Sequence, residues 1–104
     1  MDEKNSLQEV QLLEQSLQNI IFQKQAFQME LSETESALKE VEVAGDEVFK
    51  IIGGLMIKSD KTKILEELQK KQKMLGLRMK TLDNQEKVIS EKIESIRELI
   101  SESE

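Results

Sequence analysis

Two adjacent glycines near the middle of the chain, Gly53-Gly54, are bracketed by short apolar runs and, beyond those, by long heptad-patterned segments. Val48-Phe49-Lys50-Ile51-Ile52 leads into the glycines and Leu55-Met56-Ile57-Lys58 leads out, which reads as strand, two-residue turn, strand. A bend between two helices needs only a short polar loop. An isolated two-stranded hairpin is barely stable in water, so this one calls for other strands to pair with. With the glycines as the turn, Ile51 opposes Met56 and Ile52 opposes Leu55. One face then carries Phe49, Ile51 and Met56, and the other carries Val48, Ile52, Leu55 and Ile57. A surface hairpin alternates apolar and polar residues, whereas here both faces are apolar. The end of a helical pair can cover at most one of them. The other face and both strand edges require neighbouring hairpins that close an intersubunit β-barrel. Val48, Phe49, Ile51, Ile52, Gly53, Gly54, Leu55, Met56 and Ile57 are therefore the candidate oligomerisation residues. The competing reading continues the helix straight through residues 47–58; two consecutive glycines and the β-branched cluster oppose it.

The flanking segments define two seams. In the first, Val10, Leu13, Leu17, Ile20, Lys24, Phe27, Leu31, Thr34, Leu38 and Val41 keep a/d spacing. In the second, the seam is Leu65, Leu68, Gln72, Leu75, Met79, Leu82, Glu86, Ile89, Ile93, Ile96 and Ile100. The first helix should start near Asn5 or Ser6 and stop by Gly45, a residue able to take positive φ at C′. Ser59 or Asp60 should cap the second. Gly76 lies off the seam and weakens the helix by about 1 kcal/mol relative to Ala; the sequence offers no account of it. The hairpin reverses the chain, so the seams pair antiparallel, and forty helical residues make a rod of roughly 60 Å. Charge agrees with this near the bend: residues 30–42 carry five acids and one lysine, residues 61–80 seven bases and two acids. Lys24 and Glu86 fall at similar heights; they either fix the register or each snorkel to water. The expected fold class is mainly α. It is a long antiparallel α-helical coiled coil with helices over about 5–44 and 60–102 and one β-hairpin over about 47–58, in a single domain, 1–104.

Composition narrows the function. The chain has no Pro, Trp, Tyr, His or Cys and only three Phe, and 35% of its residues are charged, which suits long helices better than a compact core. Without Cys or His there is no zinc site of the usual kind, no thiol nucleophile and no imidazole base. An enzyme is not expected, nor a cofactor. A net charge of −6 with no acid-free basic stripe argues against nucleic acid. No apolar run approaches the ~20 residues of a membrane span, and MDEKNSLQEV lacks the features of a signal peptide. Absence of cysteine fits a reducing compartment, so a cytoplasmic location is the default.

The chain ends carry a separate signal. Leu7, Leu12, Ile21, Phe22, Val88 and Leu99 lie off the seams. Residues 2–14 hold four acids and one lysine, and residues 91–104 hold five acids and two bases. Like charge on adjacent ends should weaken their pairing and let the tips splay, exposing apolar side chains set among charges. The plainer reading is that Leu7 and Leu12 are isolated surface leucines.

These features together resemble a β-type prefoldin subunit, most closely the archaeal kind. The resemblance spans the whole chain: a heptad helix, then VFKIIGGLMIKSDKTKILEEL, then a helix ending LDNQEKVISEKIESIRELI. The central string carries most of the specificity, and the single hairpin distinguishes β-type from two-hairpin α-type subunits. The resemblance implies a hexamer of two α-type and four β-type subunits, built on a double β-barrel with six coiled-coil tentacles. It implies an ATP-independent holdase that captures unfolded client polypeptides at the tentacle tips and delivers them to a cytosolic group II chaperonin. Leu7, Val10, Leu12, Leu13, Ile96, Leu99 and Ile100 then become candidate client contacts. A short pre-helical N-terminus, an acidic tail and Gly76 depart from the pattern. The rival reading is a structural coiled-coil spacer or adaptor that docks through its hairpin and has a fully paired tip.

Overall fold

The computed structural model describes residues 3–103. Asp2 and Glu104, both included in the tip-charge count, lie outside the described residues, as does Met1. The order of elements is α1 (Glu3–Val43), β1 (Val48–Ile52), β2 (Leu55–Ser59) and α2 (Lys61–Ser103). α1 begins earlier than its sequence suggests. Ser6, a candidate cap, is instead a buried residue inside the helix, four positions before Val10 on the same seam.

Every seam position read from the heptads is buried or half-buried. The chain divides into two compact units. One combines residues up to Ala26 with residues from Met79 onward; the other is Phe27–Arg78. In the first, Val10, Ile93 and Ile96 form a core against which Leu13, Leu17, Ile89 and Ile100 pack, and Ile20 and Leu82 are also buried. In the second, Leu38 and Leu75 are buried, and Leu75 is only 1% exposed. Each such side chain contributes about 1.5–3 kcal/mol through burial. Thr34 is the buried polar residue of this unit, and its hydroxyl donates to the Glu30 carbonyl at 2.8 Å, so it needs no partner across the seam. The Arg78 guanidinium lies 5.6 Å from the centre of the Phe27 ring, a cation–π contact.

The bend is built differently from expectation. Positive φ occurs only at Gly53 and Gly54 among the described residues, so Gly45 does not end α1 in the left-handed conformation. Instead the Lys61 ammonium donates to the carbonyls of Glu42 (3.2 Å) and Ala44 (2.8 Å), bringing a cation to the negative end of the helix. Asp60 caps α2: its Oδ1 accepts from the Thr62 amide at 3.0 Å. Ser59 does not. It belongs to β2, and its hydroxyl donates to the Ile57 carbonyl.

Candidate functional site

β1 and β2 pair antiparallel, with Val48 opposite Ser59, Phe49 opposite Lys58, Lys50 opposite Ile57, Ile51 opposite Met56 and Ile52 opposite Leu55. Gly53 (φ 54°) and Gly54 (φ 82°) both take positive φ. A type I′ turn demands this, and it matches the natural strand twist. The register places Phe49, Ile51 and Met56 on one face and Val48, Ile52, Leu55 and Ile57 on the other.

Neither face is covered. Ile51 and Met56 are 70% and 69% exposed, and Phe49, Ile52, Leu55 and Ile57 are exposed as well. The helical end, expected to cover at most one face, buries a single residue there, Val48. Val48 is therefore corrected from a surface contact to an anchor of β1 within its own unit. Lys50, on the Val48 face, reaches Glu67 of α2 at 3.0 Å. Six large apolar side chains exposed on one small sheet mark an interaction surface rather than scattered surface residues.

The chain ends behave otherwise. Leu7, Leu12 and Leu99 are exposed. Val10 and Ile96 are buried in the core of their unit, and Leu13 and Ile100 are packed against it. These four are corrected: the tip is paired, not splayed. The magnitudes explain why. Burial of each apolar seam residue is worth about 1.5–3 kcal/mol, whereas interactions between exposed charges are worth ~1 kcal/mol or less. An ion pair between Arg97 and Glu14 also joins the two helices there. It borders a groove of about 450 Å³ floored by Leu17 and Ile93.

Deeper in the same unit the Lys24 ammonium sits on the seam, 2.7 Å from Asp83 Oδ1 and 2.6 Å from Glu86 Oε2. Hydrogen bonds to Asp83 and Glu86 raise its pKa above the ordinary lysine value. Lys24 and Glu86 thus pair rather than each snorkelling to water. Asp83 is a partner that the seam reading missed; its place directly after Leu82, beside the seam, was the available signal. Near the bend, the opposite-charge stretches of the two helices meet in one ion pair among the described residues, Lys71 with Glu30 at 3.2 Å.

No helix among the described residues is long and apolar enough to cross a membrane, and no group of three or more potential ligands there could hold a metal ion.

The chain matches the protein family described as "Prefoldin subunit" over residues 4–103. It is 42% identical to prefoldin subunit beta of Thermococcus onnurineus (strain NA1) over 89 residues, which cover 84% of this chain and 77% of the relative. It is 32% identical to prefoldin subunit beta of Methanothrix thermoacetophila over 102 residues, covering 96% and 85% of the two chains. The crystal structure of the prefoldin beta subunit from Thermococcus strain KS-1 superposes with a TM-score of 0.89 at 34% identity, covering 96% of this chain and 90% of that one. The beta2 subunit from the same strain shares the fold, with a TM-score of 0.73 at 18% identity.

Proposed function

This chain belongs to the prefoldin family, and from that premise we propose that it is the β-type subunit of an ATP-independent chaperone in the cytosol. The observation that carries the reading is the hairpin, apolar and open on both faces and at both edges. Hairpins of this kind complete one another by joining edge to edge into a closed barrel. Phe49, Ile51, Ile52, Leu55, Met56 and Ile57 supply the barrel contacts, with α-type subunits as the complementary partners in a hexamer of two α-type and four β-type chains.

Client capture falls to the far ends. Leu7, Leu12 and Leu99 offer small apolar patches among charges, each too small to bind strongly. Several such patches on one assembly engage a single unfolded chain together, and multivalency raises the avidity above that of any one contact. Holding an unfolded chain by its apolar segments keeps it from aggregating. Each contact is labile, so release to a group II chaperonin needs no nucleotide.

The paired tip favours a second reading, a structural spacer or adaptor that docks by its hairpin and meets one defined partner. Aggregation of a denatured test protein, followed by light scattering, separates the two. The assembly of this chain with an α-type prefoldin subunit should suppress aggregation, and Leu7→Ser, Leu12→Ser and Leu99→Ser together should remove most of that suppression while sedimentation stays unchanged. An assembled triple variant with full activity would place client binding elsewhere. An assembled parent with no activity would favour the spacer.

A further inference from the structure

Lys50 is out of keeping with the hairpin face that carries it. The register puts Val48, Lys50 and Ile52 of β1 on the same side as Leu55 and Ile57 of β2, so a charge sits among apolar side chains. Its ammonium is directed to α2, where it donates to Glu67 Oε2 at 3.0 Å. Among the described residues this is the one hydrogen bond or ion pair between a hairpin side chain and a helix. Support from the helices otherwise fades quickly along β1: Val48 is buried, Lys50 half-buried and Ile52 exposed. The reach of the pair fixes how the hairpin lies. Lys50 stands opposite Ile57, ahead of the start of α2 at Lys61, and Glu67 lies further along that helix. A hairpin running straight on from α2 would separate Lys50 from Glu67 by roughly 20 Å, at about 3.3 Å per strand residue and 1.5 Å per helical residue. A lysine and a glutamate side chain together fall well short of that. The contact therefore requires the hairpin to turn off that line and lean toward α2.

Hairpins that join edge to edge into a closed barrel must meet at a set tilt, because closure links strand tilt to stagger. We propose that Lys50 and Glu67 are a positioning pair: their ion pair braces the hairpin against α2 at the inclination at which it joins its neighbours. The proposal rests on the hairpin-assembly reading above and adds the device that aims the hairpin. The brace also turns the lysine of the Val48 face back to its own helix. Ile52, Leu55 and Ile57 on that face, and Phe49, Ile51 and Met56 on the other, are left open for partners. An exposed ion pair contributes little to the stability of its own chain. A hairpin already held at the joining angle, however, loses less freedom when it is bound, and the effect recurs in every subunit that carries the pair.

Sedimentation of the full-length chain with an α-type subunit tests it. Lys50→Glu and Glu67→Lys each bring like charges together. An exposed ion pair is worth about two- to fivefold, and several altered subunits enter one assembly, so each reversal should weaken assembly on the order of tenfold. Helical circular dichroism should stay at the parental level. Lys50→Glu combined with Glu67→Lys restores the pair with its signs exchanged and should recover assembly to within about twofold of the parent. Lys50→Met keeps the apolar stem without the charge and should also weaken assembly, whereas a lysine serving only as apolar cover would leave it unchanged or tighter. Glu66→Lys, the same change in charge on the neighbouring exposed residue, should leave assembly unchanged. Single reversals that assemble like the parent, a combined variant as weak as either single, a Lys50→Met protein that assembles as well as the parent, or a Glu66→Lys protein as weak as Glu67→Lys each overturn the proposal. The hairpin reading is judged separately by Ile51→Lys with Met56→Lys in the same assay. If that variant loses assembly while the Lys50 and Glu67 variants behave like the parent, the hairpin is the joint and the brace is absent. If it assembles like the parent, the hairpin reading itself fails.

Discussion

Gly76 should be replaceable with a gain in stability. It is an exposed residue in the interior of α2, and a Cβ built there meets nothing within 4 Å. Its φ is not positive, so alanine fits the existing backbone without strain. What the substitution removes is the conformational freedom glycine contributes to the unfolded chain, worth about 0.5–1 kcal/mol in a helix interior. For a chain of this size that corresponds to an upward shift in Tm of roughly 2–8 °C. Thermal and urea unfolding of Gly76→Ala and parent, followed by helical circular dichroism at matched concentration, should show a higher midpoint and an unchanged urea slope. Gly54→Ala serves as the opposite control, because its φ of 82° strains any L-residue and the same substitution should lower stability there. A Gly76→Ala protein that is no more stable than the parent, with intact helices, would refute the reasoning. It would mean that the missing side chain is used by a contact outside the chain itself.

Leu75→Ala, by contrast, should cost about 3 kcal/mol, within the 2–5 kcal/mol range for emptying a buried leucine site, and urea unfolding would read it directly. A loss well under 1 kcal/mol would mean that the seam of its unit is loosely packed. The pairing of Lys24 with Asp83 and Glu86 should give a pH-dependent difference between the parent and Lys24→Met. The folded pKa is raised, so the stabilisation is full below the ordinary lysine value of 10.5 and is lost as pH climbs through the raised value. Unfolding at stepped pH checks this, and a difference that fades well below 10.5 would contradict the assigned ion pairs.

Much of the fold was legible because heptads and turn chemistry are local signals. Every residue that the a/d spacing placed on a seam is protected, with Ser6 the buried seam position it left out, and Gly53-Gly54 fixed both the turn and the pairing of Ile51 with Met56. The ends of elements were less legible. Ser6 reads as a cap in isolation, yet the helix extends past it because the seam does. Charge was read too coarsely. Side chains reach across a helical pair only from positions beside the seam, as Glu30 and Lys71 do, whereas Glu33, Glu40, Lys63, Lys70, Lys73 and Lys80 lie on the outer sides of their helices. At the tip, counting charges overlooked that Val10, Ile93 and Ile96 carry the apolar seam almost to the ends of the helices. The apolar side chains of the hairpin are exposed except at Val48, whose burial depends on packing that no strand pattern encodes.

The hydrogen bonds from Lys61 to Glu42 and Ala44 also bear on how the chain can vary. The last turn of α1 borrows its cap from a residue seventeen positions later, across the whole hairpin. A change at position 61 is therefore felt by a helix to which it does not belong, and a glycine or asparagine that ended α1 by itself would release position 61 from that duty. The two sites are coupled: the effect of a substitution at one depends on the residue at the other. A fragment ending before the hairpin would carry an α1 whose terminus is already mutant in effect, though its own sequence is unaltered.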